Sequence, residues 1–217
     1  SLMYNLVKKY MFWQKYNWIK KFVDYGNWLD FGAGTGEFLD NLPNEKWKKV
    51  AFEPNDRAIK KIKKKKISYI ADYQHNKSYF DVITAFHAIE HVIDIKQWFN
   101  FINRITREHS IVAVAVPNYK SFDAKYYRKN WAAYDVPRHQ YHFSKSSIYK
   151  LFDENGYKLV DEKPLLFDAY YISMMSEKYK GQNNLLNAMK IGFLSNRKAK
   201  KTKEYSSNLF IFNRLQE

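Results

Sequence analysis

Residues 110–118, SIVAVAVPN, run apolar almost without a break. Residues 95–105 instead carry Ile95, Trp98, Phe99, Ile102 and Ile105 on one stripe, at a spacing near 3.6. The first is the pattern of a strand covered on both faces, the second of a helix with one buried side. The same alternation extends through most of the chain. NWLDF (27–31), KKVAFEP (48–54), ISYIAD (67–72) and FDVITAF (80–86) each predict a short buried strand. Between them, a helix is expected from Glu37 to Leu42, closed by Pro43 and Asn44. A second is capped by Asn55 or Asp56 and runs through RAIKKIKKKK, and Asp94 caps a third. Further on, Ser144 predicts the cap of a helix that turns Ile148, Leu151 and Phe152 inward and ends at Gly156. YKLVDE then gives a sixth strand, and SNLFIFNRL (208–215) a last one. Strands alternating with helices predict a parallel α/β sheet in one domain, without internal repeat or linker.

Three segments depart from this pattern. Residues 4–26 mix apolar and aromatic side chains with lysines and predict one or two N-terminal helices. Residues 119–143 hold Tyr119, Phe122, Tyr126, Tyr127, Trp131, Tyr134, Tyr141 and Phe143. They read either as a satellite core under a long loop or as the wall of an acceptor pocket, and their place after the fifth strand favours the wall. Residues 164–205, between the sixth and last strands, predict helices and a basic run, RKAKKTK.

Composition narrows the classes. With 46% hydrophobic and 18% aromatic residues, the 217-residue chain has material for one buried core. Without cysteine it has no disulfide, thiolate metal site or cysteine nucleophile, and it fits a reducing, cytoplasmic setting. No apolar run is long enough to span a bilayer, and the N-terminal residues lack the apolar core of a signal peptide. Ser1-Leu2 ahead of Met3 reads as a cloning remnant. The net charge of +15 raises nucleic acid or peripheral membrane contact as partners. Yet only seven of the 37 basic residues are arginine, the residue suited to phosphate and base recognition, so nucleic acid ranks second to a small molecule.

The chemistry concentrates after the first strand. Three of the chain's seven glycines, Gly32, Gly34 and Gly36, fall within five residues in LDFGAGTGEF. At the carboxyl edge of an α/β sheet such a loop lets backbone N–H groups meet a ligand. A dinucleotide loop wants a sixth-position glycine, where this chain has Glu37, and a phosphate loop wants Gly-Lys-Ser/Thr. Asp30 beside the loop suits a cationic group better than a pyrophosphate. Glu53, 21 residues after Gly32, can accept both hydroxyls of a ribose. A ribose with a cation and no pyrophosphate points to S-adenosylmethionine.

Four stretches carry a resemblance. LDFGAGTG resembles the first motif of class I S-adenosylmethionine-dependent methyltransferases, implying cofactor contacts at Asp30, Gly32, Ala33, Gly34 and Gly36. VAFEPN is similar to the second motif, with Glu53 and Pro54. FDVITAFHAIEHV is similar to the fourth-strand motif of ubiquinone-type and related small-molecule methyltransferases, and DVPRHQYHFSKSSIYKLFDENGYKLV to the segment after strand five in one branch of that superfamily. The resemblance implies a Rossmann-like, mostly parallel seven-stranded sheet with helices on both faces and an antiparallel last strand. It also implies that Asp72 lies near the adenine and that Phe86 and His87 line the cofactor. The residues separating strands six and seven depart from the usual arrangement, as a substrate cover or a dimer contact.

Methyl transfer from a sulfonium is an in-line displacement that needs positioning and, for a protonated acceptor, a base. His91, His139 and His87 are the candidates for that base, and Tyr134, Asp135, Arg138 and His142 for acceptor contacts. His75 and His109 read as residues of exposed turns. No metal is expected, because Glu90 and Asp135 stand at no standard ligand spacing from the histidines. The function that follows is methylation of a small molecule, lipid- or sugar-linked among the options, with S-adenosylhomocysteine as product. An RNA methyltransferase and a non-catalytic S-adenosylmethionine-binding protein are the alternatives. Against base methylation, strand four leads into TAFH instead of Asn/Asp-Pro-Pro-aromatic, and the chain has no cysteine. Against a decayed site, Asp30, the glycines and Glu53 are all present.

Overall fold

A computed structural model of the protein describes residues 2–70, 72 and 78–215. Among these residues, seven strands form one sheet in the order β3-β2-β1-β4-β5-β7-β6. The strands are β1 (Gly26–Phe31), β2 (Trp47–Phe52), β3 (Ser68–Ile70), β4 (Val82–Phe86), β5 (Ile111–Pro117), β6 (Tyr157–Pro164) and β7 (Ser207–Arg214). Strands β1 to β5 pair in parallel, and β7 runs antiparallel between β5 and β6. The expected fold class is the one observed. The order reverses at β1, so its carboxyl end faces the crevice where α/β sheets take ligands.

Strand β5 explains why the sheet is covered twice. Its residues alternate sides: Val112, Val114 and Val116 pack in one core cluster, Ile111, Ala113 and Ala115 in the other. The first cluster is roofed by α4 (Ile95–Ile105) and α6 (Lys145–Asp153) through Trp98, Phe99, Ile102, Ile148 and Phe152. The second is roofed by α1 (Leu2–Ile19), α2 (Glu37–Asp40) and α3 (Asp56–Lys64) through Ile19, Phe38, Leu39 and Ile62. The predicted caps are in place. Asn55 and Asp94 side chains each accept two backbone N–H bonds, and Ser144 forms a capping box with Ser147.

Boundaries moved where local hydrogen bonds decided them. Residues 4–26 hold one helix, ending at Ile19, not two. Helix α2 stops at Asp40, short of Leu42, because the Asn41 carboxamide donates to the Glu37 carbonyl at 2.7 Å. Strand β2 ends at Phe52, before Glu53 and Pro54. Strand β3 is Ser68–Ile70, shorter than the expected 67–72. The turn assigned to His75 lies outside the described residues, whereas His109 is exposed, with positive φ.

The rings of the aromatic segment pack mainly in a satellite core, while its residues 132–139 border a cavity. Helix α5 (Phe122–Tyr127) and the following turns pack Tyr127, Trp131 and Ala133 against Ile172 and Ile191. Those two belong to α7 (Leu166–Tyr179) and α8 (Leu185–Thr202), the helices of the segment between β6 and β7. Buried Asp123 ties the layer together, accepting from Trp131 Nε1 (2.7 Å), Ser195 Oγ (2.6 Å) and Ser206 Oγ (2.7 Å). Tyr127 and Trp131 are buried there because the α7–α8 hairpin supplies them with a core of their own.

Candidate active site

The glycine loop leaves β1 and is pinned to β2: the N–H groups of Gly32 and Ala33 both donate to the Phe52 carbonyl, at 2.9 and 3.0 Å. Gly32 has φ 75°, and a Cβ there would sit 2.6 Å from that of Ala88, so packing against the next strand's loop excludes a side chain. Gly34, with φ 53°, has nothing within 4 Å of where a Cβ would stand. That open face is where a ligand can approach the backbone. Beside it Glu53 is held by two N–H donors, Gly34 at 2.7 Å and Asn55 at 3.0 Å, which fixes its carboxylate next to the opening.

Asp30, at the end of β1, is buried, and its Oδ1 accepts from Thr84 Oγ1 at 2.6 Å. Burial pushes its pKa up to about 7, against the Thr84 bond and the charge of Lys15, which favour ionisation. A cationic ligand group at this position would offset the cost of charging it. Lys15 comes from α1, which crosses this edge of the sheet. It is buried, its Nζ lies 4.2 Å from the centroid of Phe86, and burial holds its pKa down while Asp168 and Asp30 oppose that. Lys8 of α1 pairs with Glu37, and Phe12 packs edge-on against Phe38, which in turn meets Phe86. Helix α1 therefore forms a cover over the start of α2.

His87 follows β4 with φ 52°, its N–H bound to the Ala115 carbonyl at 2.8 Å. Its Nε2 lies 3.0 Å from Asp168 Oδ2 on α7, and its Nδ1 3.6 Å from Glu90 Oε1. Burial alone would lower its pKa, but the two carboxylates outweigh that and raise it to about 9. Asp168 is correspondingly held below the usual carboxylate range: burial resists ionisation, and His87 and Lys15 overcome it. At neutral pH His87 is thus a cation that has no lone pair with which to take a proton. His139 differs. Its Nδ1 donates to the Ala133 carbonyl at 2.8 Å, which leaves the lone pair on Nε2, 3.8 Å from Asp135 Oδ2, and burial lowers its pKa despite nearby Glu90 and Asp135.

A cavity of about 690 Å³ adjoins these groups, between α1, α7 and residues 132–139. His87, Glu90, Asp135, Arg138 and His139 stand on its polar side, and its wall is otherwise largely apolar, including Met11, Phe12, Phe167, Met174 and Met175. Arg138 is bound to Asp135 at 2.6 Å. Tyr134 and His142 do not line this cavity. They pack edge-on against each other, with His142 Nε2 bonded to the Tyr134 carbonyl at 2.9 Å. Asp72 stands exposed beyond the end of β3, and Pro54 is exposed beside Glu53. A second cavity, about 700 Å³, opens at the opposite end of the strands among residues such as Lys48, Lys49 and Asp81. Neither the glycine loop nor a histidine lines it.

Four participants were not legible as such: Lys15, Thr84, Asp168 and, except as an ill-spaced companion to histidine, Glu90. Lys15 and Asp168 are separated by half the chain from the motifs, and nothing local marks them. One grouping was also hidden from the spacing along the chain. One donor atom each of Glu90, His91 and His139 lie within 4.8 Å of one another, because residues 133–141 fold back onto the turn after β4. Two backbone bonds, from Gln140 and Tyr141 N–H to the Glu90 carbonyl at 2.7 and 3.3 Å, make that junction.

Comparison with known proteins agrees with this geometry. A family model described as a methyltransferase domain matches residues 12–162. No curated protein matches the chain. Among solved structures, a SAM-dependent methyltransferase from Thermotoga maritima superposes with TM-score 0.62 at 16% identity, over 96% of this chain and 91% of that one. An S-adenosylmethionine-dependent methyltransferase from Clostridium acetobutylicum gives 0.61 at 12% identity, over 95% and 92%. Phosphoethanolamine N-methyltransferase 2 from Haemonchus contortus, solved with S-adenosyl-L-methionine, gives 0.59 at 17% identity, and there this chain spans 52% of the longer protein.

Proposed function

The chain belongs to the methyltransferase-domain family, and from that premise we propose that it transfers the methyl group of S-adenosylmethionine to a small, largely apolar acceptor held between α1, α7 and residues 132–139. The observation that carries this reading is the nearness of the two halves: a glycine loop with an open face at Gly34, and a mainly apolar cavity lined by Lys15, whose charge acts on Asp30, and by His87, whose neighbour Ala88 packs on Gly32. The residues present fit the cofactor. Glu53 would accept the ribose hydroxyls, buried Asp30 would face the ammonium, and Phe86 and His87 would border the rest. When bound, the cofactor supplies an electrophilic methyl on a positively charged sulfur.

The chain's own groups do the positioning. Helix α1 covers the start of α2 beside the loop and lines one side of the cavity, while α7 supplies the largest share of its apolar wall. His139 is the group best suited to take the acceptor's proton, since its ring is neutral and its Nε2 carries a lone pair. His87 does not share that task, because the contact with Asp168 and the nearby charge of Glu90 keep it cationic. The cavity's volume falls in the range of small-molecule sites, about 300–1,000 Å³, and its apolar wall supports a lipid-like acceptor over a sugar.

Incubating the protein and tritiated S-adenosylmethionine with cell extract tests the reading. Label is expected in an organic-soluble, low-mass fraction. Label confined to RNA would overturn the acceptor class, and tight cofactor binding without transfer to any fraction would overturn the enzyme.

A further inference from the structure

Lys15 is a buried cation whose donors are unused. It is 6% exposed, and among the described residues its side chain makes no ion pair and no hydrogen bond. Its Nζ stands 4.2 Å from the centroid of Phe86, a contact that uses the charge and none of the N–H groups. Donors left unmatched in a buried site cost free energy until an acceptor reaches them. The carboxylates nearby are already engaged: Asp30 accepts from Thr84 Oγ1 at 2.6 Å, and Asp168 from His87 Nε2 at 3.0 Å.

His87 adds a second cation at the same end of the cavity. Its Nε2 is taken by Asp168, while its Nδ1 stands 3.6 Å from Glu90 Oε1, beyond hydrogen-bond length. The His87 side chain is 37% exposed, against 11% for Asp168 and 1% for Glu90. The imidazolium therefore faces the cavity, and the two carboxylates stand behind it. Lys15 and His87 both line that cavity, whose wall continues into Met11, Met174, Met175 and Met189. Methionine side chains adapt to an apolar body of irregular shape.

We propose that Lys15 and His87 together receive a carboxylate of the acceptor, which makes the substrate an amphipathic organic acid. Resting on the methyl-transfer reading, this fixes the acceptor's chemical class and its direction: acid at the end between α1 and β4, apolar body along the methionines. A carboxylate accepts from both cations at once and offsets the cost of burying Lys15. One negative charge is enough, because Asp168 and Glu90 already oppose the two cations. A hydroxyl supplies an acceptor but no charge, and an ammonium meets like charge. Anchoring the acid end sets which atom along the body comes to the donor's methyl group.

The test is calorimetry of the protein saturated with S-adenosylhomocysteine, titrated with octanoate, octanol and octylammonium, which share one chain. Octanoate is expected to bind about tenfold more tightly than either, or better. Lys15→Met keeps the apolar stem and should lose most of that preference. His87→Gln, which keeps an N–H without the charge, should reduce it. Near-ultraviolet circular dichroism checks that each variant keeps its aromatic packing, and Lys15→Gln takes the place of Lys15→Met if that variant fails. Octanoate that binds no better than octanol in the wild type, or a preference that survives the loss of Lys15, overturns the site. The cofactor carries a carboxylate of its own, so thermal shifts of the wild type and Lys15→Met are compared with S-adenosylhomocysteine and its decarboxylated analogue. Matching changes for the two leave Lys15 to the acceptor. A loss confined to S-adenosylhomocysteine assigns Lys15 to the cofactor and overturns the proposal. A wild type that does not respond to S-adenosylhomocysteine at all overturns the cofactor reading instead, and octanoate titrated without cofactor then decides the anion site.

Discussion

Glu53 and Asp30 carry the cofactor assignment residue by residue. Glu53 already accepts from Gly34 and Asn55, so removing it strands two donors as well as the ribose contact. Glu53→Ala should weaken S-adenosylhomocysteine binding by about 1–3 kcal/mol in calorimetry; unchanged affinity would mean the ribose sits elsewhere. Asp30 predicts a pH dependence. Its folded pKa, about 7, lies above its ordinary 3.8, so the folded protein binds a proton that the unfolded chain has released. From this group, stability is fully present below the unfolded pKa and is lost as pH rises toward 7. Cofactor binding runs the other way, because the ligand's ammonium favours the ionised carboxylate. Affinity for S-adenosylhomocysteine should therefore rise between pH 6 and pH 8, and Asp30→Asn should flatten that slope. A flat profile in the unaltered protein would separate Asp30 from the ammonium. Both acids could be singled out because they stand at strand ends, which the hydrophobic pattern locates. Lys15, which tunes Asp30 from α1, was not, because only packing brings it there.

At the scale of elements, the glycine loop divides its work between fold and ligand. Gly32→Ala puts a methyl 2.6 Å from the Ala88 Cβ at positive φ, and should lower the melting temperature markedly. Gly34→Ala meets no atom within 4 Å and carries only the left-handed backbone penalty, about 1–2 kcal/mol. It should fold, melt slightly earlier and lose most of its response to S-adenosylhomocysteine. Equal loss of ligand response in a fully folded Gly32→Ala would undo the distinction. Sequence named all three glycines but could not assign these duties, since the neighbour that decides them, Ala88, belongs to another strand's loop. The caps at Asn55, Asp94 and Ser144 were readable for the opposite reason: each bonds to N–H groups two or three residues away.

Taken whole, the molecule is a sheet whose carboxyl edge is closed by α1 on one side and by the α7–α8 hairpin on the other. On the proposed reading α7 of that hairpin borders the acceptor, so a charge placed there should separate binding from transfer. Met175→Glu is expected to leave S-adenosylhomocysteine affinity unchanged while methyl transfer to the extracted acceptor falls at least tenfold in kcat/KM, about 1.4 kcal/mol of transition-state binding. Equal loss of both would mean the cavity serves the cofactor instead. The sequence alone determined most of the strands and helices, the parallel α/β class and the glycine loop after the first strand, because these follow from periodicity and from short-range contacts at strand ends and helix starts. Tertiary structure alone decided that the aromatic segment is mainly a satellite core and that Asp168 holds His87 as a cation. It also decided that Glu90, His91 and His139 converge. Those facts depend on contacts across tens of residues, and in a chain without an ordered spacing for them no local pattern records the meeting.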